Sequence, residues 1–321
     1  MILSTFRQLG KSMSENIDKI TTLYDLPFMD LLYQAHCMHR QNFDPNVIQT
    51  SALCSIKTGN CSEDCAYCAQ SRHYQTKIDS HNLMPLPEVM AKAKIAKQHG
   101  ATRFCMSTAW SKPAKKEFAK IIEIIKQIKT LGLETCVTLG KLNDEQVQQL
   151  EAAGLDYYNH NLDSSPEFYS KIVTTHTYQD RLETLHRIAK TGIKICCGGI
   201  IGMGESRNDR IAMFAQLTDL SKHPESVPIN RLVPIKGTPL ENVPALDDFE
   251  FIRTVAVARI VLPKSYIRLA AGRATMSDVM QACCFFAGAN SIFYGDKLLT
   301  TANPEIAKDL ELFRRLGIQH A

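Results

Sequence analysis

No stretch of this 321-residue sequence approaches the roughly 18 uninterrupted apolar residues that a membrane-spanning helix needs. The first residues, MILSTFRQLGKSMSENIDK, hold no apolar run long enough for a secretory signal. Strong charge is missing as well: the net value is +4 and Lys and Arg are dispersed, which argues against a nucleic-acid partner. Sixteen glycines are too few for a collagen-like chain, and 45% apolar residues are too many for a disordered one. Low-complexity linkers, short-period repeats and a second core pattern are also lacking. So is the even cysteine count of a disulfide framework, because there are eleven. A chain of this length can build a core without disulfides, so the expected compartment is a reducing cytoplasm. There, clustered thiols point to metal.

From residue 51 onward, short β-branched or apolar runs alternate with segments of helical periodicity. Candidate strands fall at Ser51–Ile56, Arg103–Ser107, Glu134–Leu139, Tyr157–Asn161, Lys194–Ile201, Val227–Val233, Tyr266–Ala270 and Ser291–Phe293. The segments between them carry apolar residues three and four apart, and several end in Gly, a helix stop. Strict alternation requires parallel pairing, and eight strands in one series favour a (β/α)8 barrel. The expected organisation is an N-terminal helical extension (1–50), an α/β TIM-type barrel (51–302) and a closing C-terminal helix (303–321), with Pro304 in that helix's first turn. KGTPLENVPALDD (236–248) is expected to be a surface loop after the sixth strand.

The segment Cys61-Ser-Glu-Asp-Cys65-Ala-Tyr-Cys68 places three thiols directly after the first candidate strand, where a barrel carries its active site. A structural zinc site wants four protein ligands. Three suit a 4Fe–4S cube with one iron left open for a small molecule. The alternative is a zinc knuckle completed by a distant Cys or by His73. The triplet is also the signature of the radical S-adenosylmethionine (SAM) enzymes, which this chain resembles. That resemblance implies that SAM chelates the open iron and is split to methionine and a 5′-deoxyadenosyl radical. It places Tyr67 beside the adenine. Gly198-Gly-Ile-Ile-Gly202-Met-Gly-Glu205 resembles the family's GxIxGxxE motif, where small residues would let the backbone approach a planar ligand.

Three further cysteines lie within candidate strands: Cys105 in ATRFCMST, Cys136 in LETCVTLG and Cys196 in GIKICCGG. Singly, each reads as a small buried hydrophobe. Together, on strands two, three and five, they can converge on a barrel axis if their alternating faces agree. Arg268 in YIRLA, if it points inward, needs an anionic partner; an outward or strand-end ion pair is equally open. Three thiolates and a cation suit an anionic iron–sulfur cluster. In YYNHNLD, alternation puts Tyr157, Asn159 and Asn161 on one face, and Asn offers the donor and acceptor that a cyclic urea requires. Asp163 or Ser164 reads equally as a helix N-cap, and Arg181 as a solvated helix charge.

Within the radical SAM enzymes, nearly the whole chain resembles the biotin synthase family, from LPFMDLLYQAH to GDKLLTTANPE and including SIKTGNCSEDCAYC, ETCVTLG, YYNHNLD, GIKICCGGIIGMGE and YIRLAAGR. The resemblance implies a sulfurtransferase that converts dethiobiotin to biotin. Cys61, Cys65 and Cys68 would hold the 4Fe–4S cluster. Cys105, Cys136, Cys196 and Arg268 would hold a 2Fe–2S cluster that donates sulfur. Asn159, Asn161 and Asn230 correspond to dethiobiotin contacts, Asn161 and Asp163 to SAM contacts, and Arg181 to a residue near the SAM carboxylate. An electron donor such as a flavodoxin system and a homodimer are implied too. Ser62 replaces a proline of some members, which touches only the backbone path. Cys37, Cys54, Cys197, Cys283 and Cys284 fall outside the ligand set, although Cys197 beside a ligand could mis-coordinate. A different radical SAM enzyme would need the triplet without the strand cysteines, and an electron carrier would need a fully ligated cluster.

Overall fold

The computed structural model describes residues 2–295 and 298–321, residues 2–12 by backbone alone. Met1, and Asp296 and Lys297 of the GDKLLTTANPE stretch, lie outside the described residues. Two helices, α1 (Ile2–Asp25) and α2 (Phe28–Asn42), meet at Pro27, which cannot continue a helix from the preceding turn. Strands and helices then alternate: β1 (Val47–Lys57), α3 (Leu86–Gln98), β2 (Arg103–Thr108), α4 (Lys115–Lys129), β3 (Glu134–Thr138), α5 (Asp144–Ala152) and β4 (Tyr157–Asn159). Helices α6 (Pro166–Ile172) and α7 (Tyr178–Ala189) lead to β5 (Lys194–Cys196) and β6 (Gly199–Ile201). The series ends with α8 (Arg207–Asp219), β7 (Ser226–Arg231), α9 (Asp248–Val261), β8 (Tyr266–Leu269), α10 (Asp278–Phe286), β9 (Ser291–Tyr294), α11 (Ile306–Leu316) and β10 (Gln319–His320).

Every strand pairing is parallel, and β1 pairs with β9 through Gln49↔Ser291 and Thr50↔Ile292, which closes the barrel. Strands β5 and β6 share one position in the wall, interrupted at Cys197–Gly198, so eight strand directions surround the axis. The outer helices pack by an apolar stripe: α4 buries Phe118, Ile121, Ile124, Ile125 and Ile128 and keeps its lysines outside. Capping boxes start α5 (Asn143 with Gln146), α7 (Thr177 with Asp180) and α8 (Ser206 with Asp209). Among the described residues, no helix is long and apolar enough to cross a membrane.

Four local expectations are corrected. The first strand begins at Val47, not Ser51, because Val47–Thr50 find partners in β10 and β9. The fourth stops at Asn159, since the backbone then bends toward Asp163, whose φ is +66°. Helix α6 follows the YYNHNLD segment, and Ser165 caps it by accepting from Phe168 N–H at 2.9 Å, not Asp163 or Ser164. Pro304 precedes α11, which opens at Ile306, instead of lying in its first turn. The KGTPLENVPALDD stretch connects β7 to α9, as expected.

Candidate active site

The carboxyl ends of the strands surround one cavity of about 340 Å³. All of the site residues predicted above line it: the cysteine triplet with Tyr67, the strand cysteines with Arg268, and Asn159, Asn161, Asp163, Arg181 and Asn230. The barrel brings the loop after β1 over the ends of β2 to β8.

The triplet lies on a loop folded back on itself. Cys61 N–H donates to Gln70 O and Arg72 N–H to Cys61 O, both at 2.9 Å, while Cys68 N–H donates to Cys65 O at 2.9 Å. Asn60 and Gly59, at φ +54° and +77°, make the turn that starts it. The two acids between the first thiols anchor the loop: Asp64 accepts from Thr174 N–H at 2.9 Å and Thr175 N–H at 3.1 Å, and Glu63 meets His176 at 2.7 Å. Burial works against the Glu63 carboxylate, but hydrogen bonds from His176, Ser111 and Thr175 hold it well below the usual carboxylate range. Burial pushes Cys65 up to about 12 and Cys68 up to about 11, so metal loading must displace thiol protons. His73 is exposed and turns its Nε2 to Ser62 O at 3.0 Å, away from a ligand role. Among the described residues, no three His, Cys, Asp or Glu side chains converge on a single ion. A cube asks for something else, one thiolate on each of three irons.

Inside the barrel, Cys105, Cys136, Cys196 and Tyr157 form a buried cluster of their own, flanked by Leu53 and Phe293. Cys105 and Cys136 are register partners on β2 and β3. Hydrogen bonding from the Cys136 thiol is the largest influence lowering both neighbours, with Arg268 adding to it; Cys196 is pushed down to about 5, while Cys136 itself is raised. Cys197 alternates to the outer face and packs in the main core, apart from this cluster. Arg268 is fully buried. Its Nε donates to Ser291 Oγ at 2.8 Å, its Nη2 to Ser51 Oγ at 3.0 Å and Gln49 Oε1 at 3.2 Å, and its Nη1 has no partner. All of those acceptors are neutral. The inward arginine thus has no carboxylate and one unpartnered donor, and it lines the same cavity as three thiols, a donor set suited to an anionic iron–sulfur group.

Sequence reasoning missed Gln49, Ser51 and Ser291, which orient this guanidinium. The signal was available in part, because Gln49 and Ser51 are polar at i and i+2 and so share one face of the strand.

Around the mouth, Asn159 Nδ2 contacts Cys196 Sγ at 3.3 Å and Asn161 Oδ1 at 3.2 Å, while its Oδ1 accepts from Thr138 at 3.0 Å. Asn230 bridges strands, donating to Gly199 O at 3.0 Å and accepting from Ala271 N–H at 3.1 Å. Tyr67 donates its hydroxyl to Asp163 Oδ2 at 2.5 Å, and Asp163 pairs with Arg181 at 2.9 Å. Arg181 is therefore a buried, paired cation instead of a solvated helix charge. A Cβ on Gly198 would lie 2.0 Å from Pro228 O, and one on Gly199 2.2 Å from Met213 Sδ, so these two glycines are required by chain packing. Glu205 accepts from Gly202 N–H at 3.0 Å, Met203 N–H at 2.7 Å and Arg210 Nε at 3.1 Å, which closes the turn after β6.

Residues 55–217 match the radical SAM superfamily, and residues 228–319 match the biotin and thiamin synthesis associated domain. Biotin synthase 2 of Polaromonas sp. is 58% identical over 303 residues, 94% of this chain and 88% of its own length. Biotin synthase of Bordetella pertussis is 59% identical over 300 residues, 94% of this chain and 90% of its own. Methylornithine synthase superposes with a TM-score of 0.81 at 17% identity, covering 98% of this chain and 97% of its own. The FeFe-hydrogenase maturase HydG from Carboxydothermus hydrogenoformans gives 0.82 at 19%, covering 98% and 80%. At such identities, these two structures speak for the fold alone.

Proposed function

Because this chain belongs to the biotin synthase family of radical SAM enzymes, we propose that it converts dethiobiotin to biotin by sulfur insertion. Cys61, Cys65 and Cys68 would hold a 4Fe–4S cluster, and Cys105, Cys136, Cys196 and Arg268 a 2Fe–2S cluster. When bound, the first supplies the electron that splits SAM into methionine and the radical that removes hydrogen from dethiobiotin, and the second supplies sulfur. The chain's own work is to bind, align and seal. Asp163 and Asn161 would meet the SAM ribose and backbone, with Tyr67 beside the adenine and Arg181 near the carboxylate. Asn159, Asn161 and Asn230 would turn amide donors and acceptors toward the ureido ring. The buried wall at Cys105, Cys136 and Cys196 would keep water from the reacting carbons.

One observation carries this reading. A fully buried arginine with no carboxylate and one unpartnered nitrogen shares a cavity wall with three strand thiols. All eleven cysteines are free, which supports a reducing cytoplasm. We also assign a homodimer and an electron donor such as a flavodoxin system.

The test is anaerobic reconstitution with iron and sulfide, followed by SAM, reductant and dethiobiotin. Wild type should carry both clusters and form biotin. Cys136→Ala should retain the cube's spectrum and lose both the smaller cluster and product. Biotin made by that variant would overturn the sulfur-donor assignment, and zinc without sulfide in wild type would overturn the enzyme.

A further inference from the structure

Glu63, Tyr169 and His176 received no role from the sequence, yet they complete a hydrogen-bonded chain that starts and ends in the cysteine loop. Glu63 Oε2 meets His176 Nδ1 at 2.7 Å, and His176 Nε2 meets the Tyr169 hydroxyl at 2.7 Å. Arg181 donates its Nε–H to the same hydroxyl, and its Nη2 pairs with Asp163 at 2.9 Å. Asp163 accepts from Tyr67, one residue before the last thiol of the triplet. The His176 and Glu63 side chains are only 6% and 11% exposed, so water does not readily replace these partners.

Proton accounting gives the chain a direction. A guanidinium has donors only, so Tyr169 Oη accepts from Arg181. The phenolic proton then goes to His176 Nε2, and the Nδ1 proton goes to the Glu63 carboxylate.

We propose that His176 and Tyr169 are positioning residues for SAM: they fix the Arg181 guanidinium at the cavity wall and, through Glu63, tie it to the loop that carries the cluster thiols. The inference rests on the radical SAM reading above. It gives a role to both acids between the first two thiols: Glu63 ends this chain, and Asp64 holds the neighbouring Thr174–Thr175 backbone.

The test uses anaerobically reconstituted holoenzyme with Tyr169→Phe, His176→Ala and His176→Gln. SAM affinity is read from the change SAM makes in the cube's spectrum, beside the iron and sulfide content and the kinetics. Tyr169→Phe and His176→Ala should weaken SAM binding on the order of tenfold, the effect of one hydrogen bond to a charged group. KM for SAM should rise with kcat unchanged, cluster content should stay at the wild-type level, and His176→Gln, which keeps a donor and an acceptor, should recover part of the affinity. If His176→Ala fails to fold, Tyr169→Phe, which removes a single oxygen, decides. Unchanged SAM affinity in Tyr169→Phe overturns this inference and leaves the functional reading standing. A wild type that assembles a cube but binds no SAM overturns both.

Discussion

A guanidinium sealed in a barrel is costly, by several kcal/mol, until opposite charge meets it. That physics made Arg268 suspicious in the sequence, but not decisive, because strand alternation leaves the choice of face open. Its neutral partners Gln49, Ser51 and Ser291 come from the two strands that close the barrel, and only closure makes them neighbours. Gly198 is a second case. In the sequence it reads as part of a ligand-binding run; in the fold its missing Cβ admits the Pro228 carbonyl. Gly198→Ala should therefore destabilise by about 3 kcal/mol or more, as overpacking does. Gly154→Ala, at φ +80° with no atom within 4 Å of the added methyl, should cost only about 1–2 kcal/mol for the left-handed backbone. Urea unfolding of both variants compares them directly, and equal midpoints would refute the packing explanation.

At the scale of elements, the alternation of strands and helices was legible because each element satisfies its own hydrogen bonds and shows one face to the core. Helix α6 and strand β10 were not. The first is seven residues after a Ser165–Pro166 start easily read as a turn, and the second is two residues that exist only by pairing with Val47 and Ile48. The docking of α2 on α9 leaves His39 fully buried with both ring nitrogens unpartnered. Burial, with repulsion from Arg259, His36 and Arg40 against a weaker pull from Asp44, pushes its pKa down to about 3 from an ordinary 6.5. Between those values the unfolded chain binds the extra proton, so stability should fall as pH drops from about 6.5 toward 3 and be unaffected above. His39→Leu should remove that component, on the order of a few kcal/mol at the acid end. Urea midpoints of wild type and variant at pH 8 and pH 5 measure it; an identical pH dependence would count against the assignment.

For the whole molecule, the exposed apolar surface matters. Met29 and Tyr33 on α2 are 74% and 69% exposed, and Val279 on α10 is 72% exposed. The two helices are in contact, and His36 stacks on Phe286 with ring centroids 4.2 Å apart. A patch of this kind suits self-association, in keeping with the proposed dimer. Tyr33→Glu and Val279→Glu should convert a dimer to a monomer in light scattering without moving the melting temperature of the full chain by more than about 1–2 °C, since both sites are solvated in the protomer. A dimer that persists in both variants would place the interface elsewhere.

Sequence alone determined whatever is local: the thiol spacing of Cys61, Cys65 and Cys68, the order of strands and helices, and the residue types able to hold iron, urea or carboxylate. Covalent spacing and hydrophobic period are properties of short segments, and they survive without knowledge of the fold. Tertiary structure decided what depends on closure. It turned Cys105, Cys136, Cys196 and Arg268 toward one cavity, sent Cys197 outward, and linked Glu63 to Arg181 through Tyr169 and His176. Those relations join residues far apart along the chain, and a sheet's face and register are fixed only when its first and last strands meet.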